Sequence, residues 1–92
     1  MIRLKVPPEI AELIRGMHPV LKKKVRAGLK KILDHPAEGK ALRLELEGLW
    51  SFRVGSFRII YRIQKNTLDI VAVGPRARIY EETYRLIKKN PQ

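Results

Sequence analysis

The sequence predicts an α+β domain in the order β-α-α-β-β-β-α: a small, antiparallel-rich sheet packed against an N-terminal helical hairpin, closed by a C-terminal helix. Three observations predict it. Apolar residues recur at helical spacing from Ile10 to Ile32. They alternate with other residues from Trp50 to Ile63. Beyond Gly74-Pro75 they return to helical spacing.

Taken in order, Ile2, Leu4 and Val6 alternate with Arg3 and Lys5, as in a strand with one buried face. Pro7-Pro8 ends it, and Pro8 suits a first helical turn, where its missing N–H costs nothing. Ile10, Leu13, Ile14 and Met17 form the first helix, and Gly16 and Pro19 bracket a break. The second helix runs from about Pro19 to Leu33, with Leu21, Val25, Leu29 and Ile32 as its apolar stripe. Lysines cover its other face, and Asp34-His35-Pro36 stops it. Leu42, Leu44 and Leu46 alternate with charged residues, which suggests an extra strand near residues 41–46. Trp50, Phe52 and Val54 form the next strand, and Gly55-Ser56 suits a type II′ turn. Phe57, Ile59, Tyr61 and Ile63 continue the hairpin to a turn at Lys65-Asn66. Leu68 to Val73 is almost wholly apolar, as in a central strand covered on both faces. Gly74-Pro75 ends it, and a helix follows from about Arg78 to Lys89.

A chain of 92 residues fits one domain, residues 1–92. It holds 20 Lys and Arg against 9 Asp and Glu, a formal charge of +11. Such an excess repels itself, so a polyanion is expected as partner: nucleic acid first, an acidic protein second. A merely solvated basic surface is the competing explanation. No helix pairs a Trp/Leu-rich side with a basic one, so a lipid surface ranks below both. Cysteine is absent, which excludes disulfides, thiolate catalysis and cysteine-bound zinc. No apolar run is long enough to span a membrane. The start, Met1 to Val6, lacks the continuous apolar stretch of a signal peptide, so a cytoplasmic location is expected.

The basic residues are unevenly typed. The first 40 residues hold seven Lys and three Arg, and the remainder hold seven Arg and three Lys. Lysine on an outer helix face mainly solvates, whereas arginine forks onto phosphate oxygens. If Trp50, Phe52, Val54, Phe57, Ile59, Tyr61 and Ile63 face the helices, then Ser51, Arg53, Arg58 and Arg62 face the other way. Arg53 and Arg58 then sit close together on one tight hairpin, and Arg76, just after Gly74-Pro75, can swing toward them. Like charges so placed are unfavourable unless an anion lies between them. Two arrangements answer this: a phosphate site, or pairing with Glu45, Glu47 or Asp69. Tyr80 is open between stacking on a base and anchoring the last helix; Tyr84 is expected to pack. His18 and His35 lie at helix ends, where they suit caps. No metal-ligand spacing appears.

The stretch Leu46-Glu47-Gly48-Leu49-Trp50-Ser51-Phe52-Arg53-Val54-Gly55-Ser56-Phe57-Arg58-Ile59-Ile60-Tyr61 resembles the RelE/ParE toxin superfamily, whose members often read Leu-x-Gly-x-Trp-x-x-Arg-x-Gly-x-Tyr-Arg-x-x-Tyr. Val73-Gly74-Pro75-Arg76 followed by Tyr80 is similar to its second motif, and the Lys-rich helical hairpin also fits. The resemblance implies a type II toxin that enters the 30S A site and cuts mRNA without metal or cofactor. In that reaction the ribose 2′-OH attacks the adjacent phosphate. By position it assigns phosphate stabilisation to Arg58, the leaving group to Arg76, substrate orientation to Tyr80 and a basic catalytic place to Arg53. Arg43 matches a basic residue used in some branches. Ser51, Arg62, Arg78, Lys22, Lys23 and Lys30 complete the expected RNA-binding surface.

Two departures stand out. Ser51 replaces a lysine of the best-known RelE pattern, and no His or Glu stands where some branches place a base or acid. Arginine holds its proton too tightly to be a base, so proton abstraction falls to Glu45, Glu47 or Lys65, or to no side chain. The competing functions are a ParE-like gyrase poison, which does not need the Arg/Tyr constellation, and a non-toxic RNA-binding module. The toxin readings imply a cognate acidic antitoxin that wraps the helices and sheet edge, in some relatives displacing the last helix.

Overall fold

In the computed structural model, which describes residues 2–89, the chain opens with strand β1 (Arg3–Lys5). Helices α1 (Pro8–Arg15) and α2 (Pro19–Asp34) follow. A 3₁₀ turn over Pro36–Glu38 leads into β2 (Lys40–Ala41), and a second covers Leu44–Leu46. Then come β3 (Trp50–Val54), β4 (Phe57–Ile63), β5 (Thr67–Pro75) and α3 (Arg76–Lys89). The five strands form one sheet ordered β1-β5-β4-β3-β2. β1 runs parallel to β5, and every other pairing is antiparallel.

The α+β class and the order of the expected elements hold. The local signals act as expected: Pro19 opens α2, and the His18 Nδ1 caps it by accepting from the Val20 N–H at 3.2 Å. Gly55 takes φ 61° at the β3–β4 turn, which a side chain would resist. One hydrophobic core lies between the helical hairpin and one sheet face. It joins Ile14, Val25, Leu29 and Ile32 to Val54, Ile59, Tyr61 and Leu68. Trp50, Phe52, Phe57 and Ile63 pack against it, as the pleat requires. Trp50 lies opposite Tyr61, with the ring centroids 6.4 Å apart.

Three expectations need correction. Residues 41–46 are not a strand. Only Lys40–Ala41 pairs with β3; Leu44 then turns at φ 56° and is 80% exposed. Its neighbours Leu42 and Leu46 fold back against Leu49, so the leucine alternation serves a turn instead of a pleat. Gly74 and Pro75 belong to β5, and α3 starts at once at Arg76. The face that carries the arginines, expected to be open to a ligand, is partly covered. α3 lies on it, with Ile79 and Ile87 against Leu49, Ile60 and Ala72 in a second core. β4 therefore buries Ile59, Ile60 and Tyr61 in succession, sending Ile60 to one core and its neighbours to the other. A bulge lets β5 follow: Ile60 pairs with Ala72 but Tyr61 with Ile70, leaving Val71 as the extra residue.

Candidate active site

Arg53 and Arg58 lie directly opposite each other across β3 and β4, on the face that α3 partly covers. Their Cβ atoms stand roughly 5 Å apart in such a pair, so the two guanidinium groups share one neighbourhood. Arg58 is half-buried: its Nη1 donates to the Ser51 Oγ at 3.2 Å, while its Nε is buried with no partner among the described residues. Ser51 is 1% exposed, and its hydroxyl also bonds the Tyr80 hydroxyl at 3.1 Å. Arg58, Ser51 and Tyr80 thus form one chain from the sheet to the first turns of α3. Arg53 stays exposed, with its Nε donating to the Gly55 carbonyl at 3.2 Å. The Arg76 N–H donates to the Ser56 carbonyl at 2.8 Å, which pins the start of α3 beside the hairpin turn.

Of the three hollows that Arg53 lines, two also hold another arginine. The larger, about 600 Å³, is shared with Ser56, Pro75 and Arg76. The smaller, about 280 Å³, is shared with Arg58, Ser51, Lys40 and Glu38. The Glu38 wall is built by a tyrosine. The buried Tyr61 hydroxyl donates to the Pro36 carbonyl at 2.7 Å and accepts from the Gly39 N–H at 3.2 Å. A Cβ on Gly39 would run into that hydroxyl and come within 2.9 Å of the Ser51 carbonyl oxygen. Only glycine lets the turn sit this close to the sheet. Burial raises the Tyr61 phenol above its usual value of 10.0; the Gly39 N–H works against this, and the nearby Glu38 charge adds to it.

Among the described residues the ion pairs are Arg15–Glu12, Lys31–Glu38 and Arg85–Glu81, so Arg53, Arg58 and Arg76 have no carboxylate within 4.0 Å. Of the two arrangements open in the sequence, pairing with Glu45, Glu47 or Asp69 does not occur. Three arginines instead line adjoining hollows with no ion pair to any of them among the described residues, an arrangement suited to a phosphate and its flanking oxygens.

Residues 9–80 match the family profile described as ParE toxin of type II toxin–antitoxin system, parDE. The chain belongs to this family. Within the wider RelE/ParE superfamily, the toxin is similar in structure to the RelBE2 toxin–antitoxin complex of Mycobacterium tuberculosis. That match has 28% identity and a TM-score of 0.71, and covers 83% of this chain and 92% of that one. A substituted E. coli toxin RelE in the free state superposes with a TM-score of 0.77 at 17% identity, covering 99% of this chain and 98% of that one. The archaeal RelE–RelB complex of Pyrococcus horikoshii gives 0.69 at 19%, covering 84% and 97%. No curated protein sequence matches the toxin.

The remaining predicted residues are spread out. Ser51 borders the smaller hollow but is almost wholly buried, as the link between Arg58 and Tyr80. Tyr80 itself is half-buried and held inward. Tyr84, expected to pack, is 38% exposed under the Lys88 ammonium, 5.9 Å from its ring centroid. Arg62 lies opposite Asp69, four residues along β4 from Arg58, with the covered Ile60 between them. Arg78 is exposed on the first turn of α3, and Arg43 shares a hollow with Lys40 at the β2 edge. Lys22, Lys23 and Lys30 sit on α2, which packs on the opposite sheet face. The α2 lysines that reach Arg53 are Lys24 and Lys31, which share a groove with it. Sequence reasoning passed over these two, as it did Glu38, Gly39 and Lys40. Among the described residues, no three His, Asp or Glu side chains gather as metal ligands, and no helix is long and apolar enough to cross a membrane.

Proposed function

We propose that this toxin cleaves mRNA in the 30S ribosomal A site and is neutralised by a cognate acidic antitoxin. The observation that carries this reading is the set of guanidinium groups without an ion pair among the described residues, Arg53, Arg58 and Arg76, around two hollows that share Arg53. In the reaction the ribose 2′-oxygen attacks the neighbouring phosphorus. The 2′-O–P bond forms, the P–O5′ bond breaks, and a 2′,3′-cyclic phosphate remains. Charge grows on the phosphorane oxygens, and donors fixed in advance lower its energy. Arg58 is suited to this, since its Nη1 is held by Ser51 and its buried Nε has no partner among the described residues. Arg76 stands at the far hollow, suited to the departing oxygen, and Arg53 serves both. Tyr80 fixes Ser51, and so Arg58, from α3.

The family profile supports a second reading, inhibition of DNA gyrase, because its description names ParE. Two measurements separate the readings. After brief expression in translating cells, primer extension finds mRNA ends within A-site codons for a nuclease, and Arg58→Ala or Arg76→Ala abolishes them. A gyrase poison leaves mRNA intact and blocks supercoiling. The antitoxin reading draws on the +11 charge and on relatives solved as toxin–antitoxin complexes.

A further inference from the structure

The proposed cleavage needs an acceptor for the 2′-OH proton, and the carboxylates expected in that role are elsewhere. Glu45 and Glu47 are exposed in and just after the Leu44–Leu46 turn and line neither hollow. Lys65 lies beyond the far end of β4 from Arg58. Glu82 approaches Gly74, the β5 neighbour of Arg58, but is outside both hollows. Glu38 is the carboxylate in the wall of the hollow that holds Arg53 and Arg58. We propose that Glu38 is the general base of the reaction, an assignment that rests on the nuclease reading.

Three features suit it to the task. Its backbone is held in place, because the Tyr61 hydroxyl bonds the turn on both sides of it, at Pro36 and Gly39. Its carboxylate has one ionic partner among the described residues, Lys31 at 3.8 Å, a long contact that leaves lone pairs for a substrate hydroxyl. It lines the same hollow as Arg53 and Arg58, so a phosphate held by Arg58 places the adjacent ribose in the hollow that Glu38 borders. The 2′-OH proton passes to the Glu38 carboxylate as the 2′-O–P bond forms. The P–O5′ bond then breaks, and the 5′-oxygen takes a proton from solvent water beside Arg76.

The test is single-turnover cleavage on programmed ribosomes, with toxin–ribosome affinity measured alongside. Positioned proton transfer contributes about 10²–10⁴-fold, so Glu38→Gln slows cleavage by that factor while affinity and thermal midpoint stay unchanged. Glu38→Ala recovers rate as formate is added, a response that a purely structural role would not give, and Glu45→Gln cleaves like the parent chain. Cleavage by Glu38→Gln within threefold of the parent overturns the assignment, as does loss of rate in Glu82→Gln instead. A parent chain that cuts no mRNA on the ribosome rejects the nuclease reading itself, and the base with it.

Discussion

Replacing Arg58 separates a functional arginine from a structural one, because one role moves cleavage with little change in stability and the other moves stability. Arg58 faces Arg53 directly across the hairpin, and among the described residues no carboxylate within 4.0 Å relieves the pair. Like charges in this position cost about 0.2–1 kcal/mol. Against that stands one hydrogen bond to Ser51; the buried Nε has no partner among the described residues. The bond contributes about 1 kcal/mol. The two effects nearly cancel, so Arg58→Ala leaves folding stability within about 1 kcal/mol of the parent, or about 4–8 °C for a domain of this size. The effect on cleavage is far larger. Removing one fixed donor to a developing oxyanion costs about 10²–10³ in rate. Arg58→Lys keeps the charge but loses the fork, so it recovers only part of the rate. Calorimetry on each variant, beside single-turnover cleavage on programmed ribosomes, reads both quantities. A midpoint drop well beyond 8 °C with cleavage intact would refute the reasoning and make Arg58 a structural residue.

Other substitutions probe the supports of the site. Tyr61→Phe removes both bonds to the Pro36–Gly39 turn and destabilises by about 2 kcal/mol, measured by urea unfolding. Because burial raises the Tyr61 phenol, the folded chain favours its protonated form. That contribution is complete below about pH 10 and is lost as pH rises through the folded-state value, so Tyr61→Phe shows a shallower alkaline loss of stability than the parent. Gly39→Ala drives a methyl group against the Tyr61 hydroxyl and the Ser51 carbonyl, costing about 1–3 kcal/mol and slowing cleavage by displacing Glu38. Tyr80→Phe leaves the buried Ser51 hydroxyl with Arg58 alone, lowering stability by about 1 kcal/mol and reducing cleavage without changing the cut positions.

The hairpin arginines were legible because a pleat has a fixed period: once Trp50, Phe52 and Val54 face inward, Arg53 must face the other way, and the Gly55-Ser56 turn sets Arg58 across from it. The Glu38 wall was not legible. Nothing in the Pro36-Ala37-Glu38-Gly39 segment marks it as part of a site. Its place depends on Tyr61, more than twenty residues later, reaching across the core to hold it. The leucine alternation at 42–46 misled for a related reason. Apolar side chains at every second position satisfy a strand or a turn folded onto Leu49, and only the packing partner distinguishes them.

By itself the amino-acid order determined the helix-then-strand sequence of elements, the hairpin register and the excess of positive charge. All of these follow from neighbours within a few positions along the chain. The tertiary structure alone decided that α3 covers the arginine-bearing face, that Ser51 is buried between Arg58 and Tyr80, and that a carboxylate joins the guanidinium groups in one hollow. These are contacts between distant segments. They arise because β4 has apolar residues facing both ways, and burying both faces draws the N-terminal and C-terminal helices onto opposite sides of a single sheet.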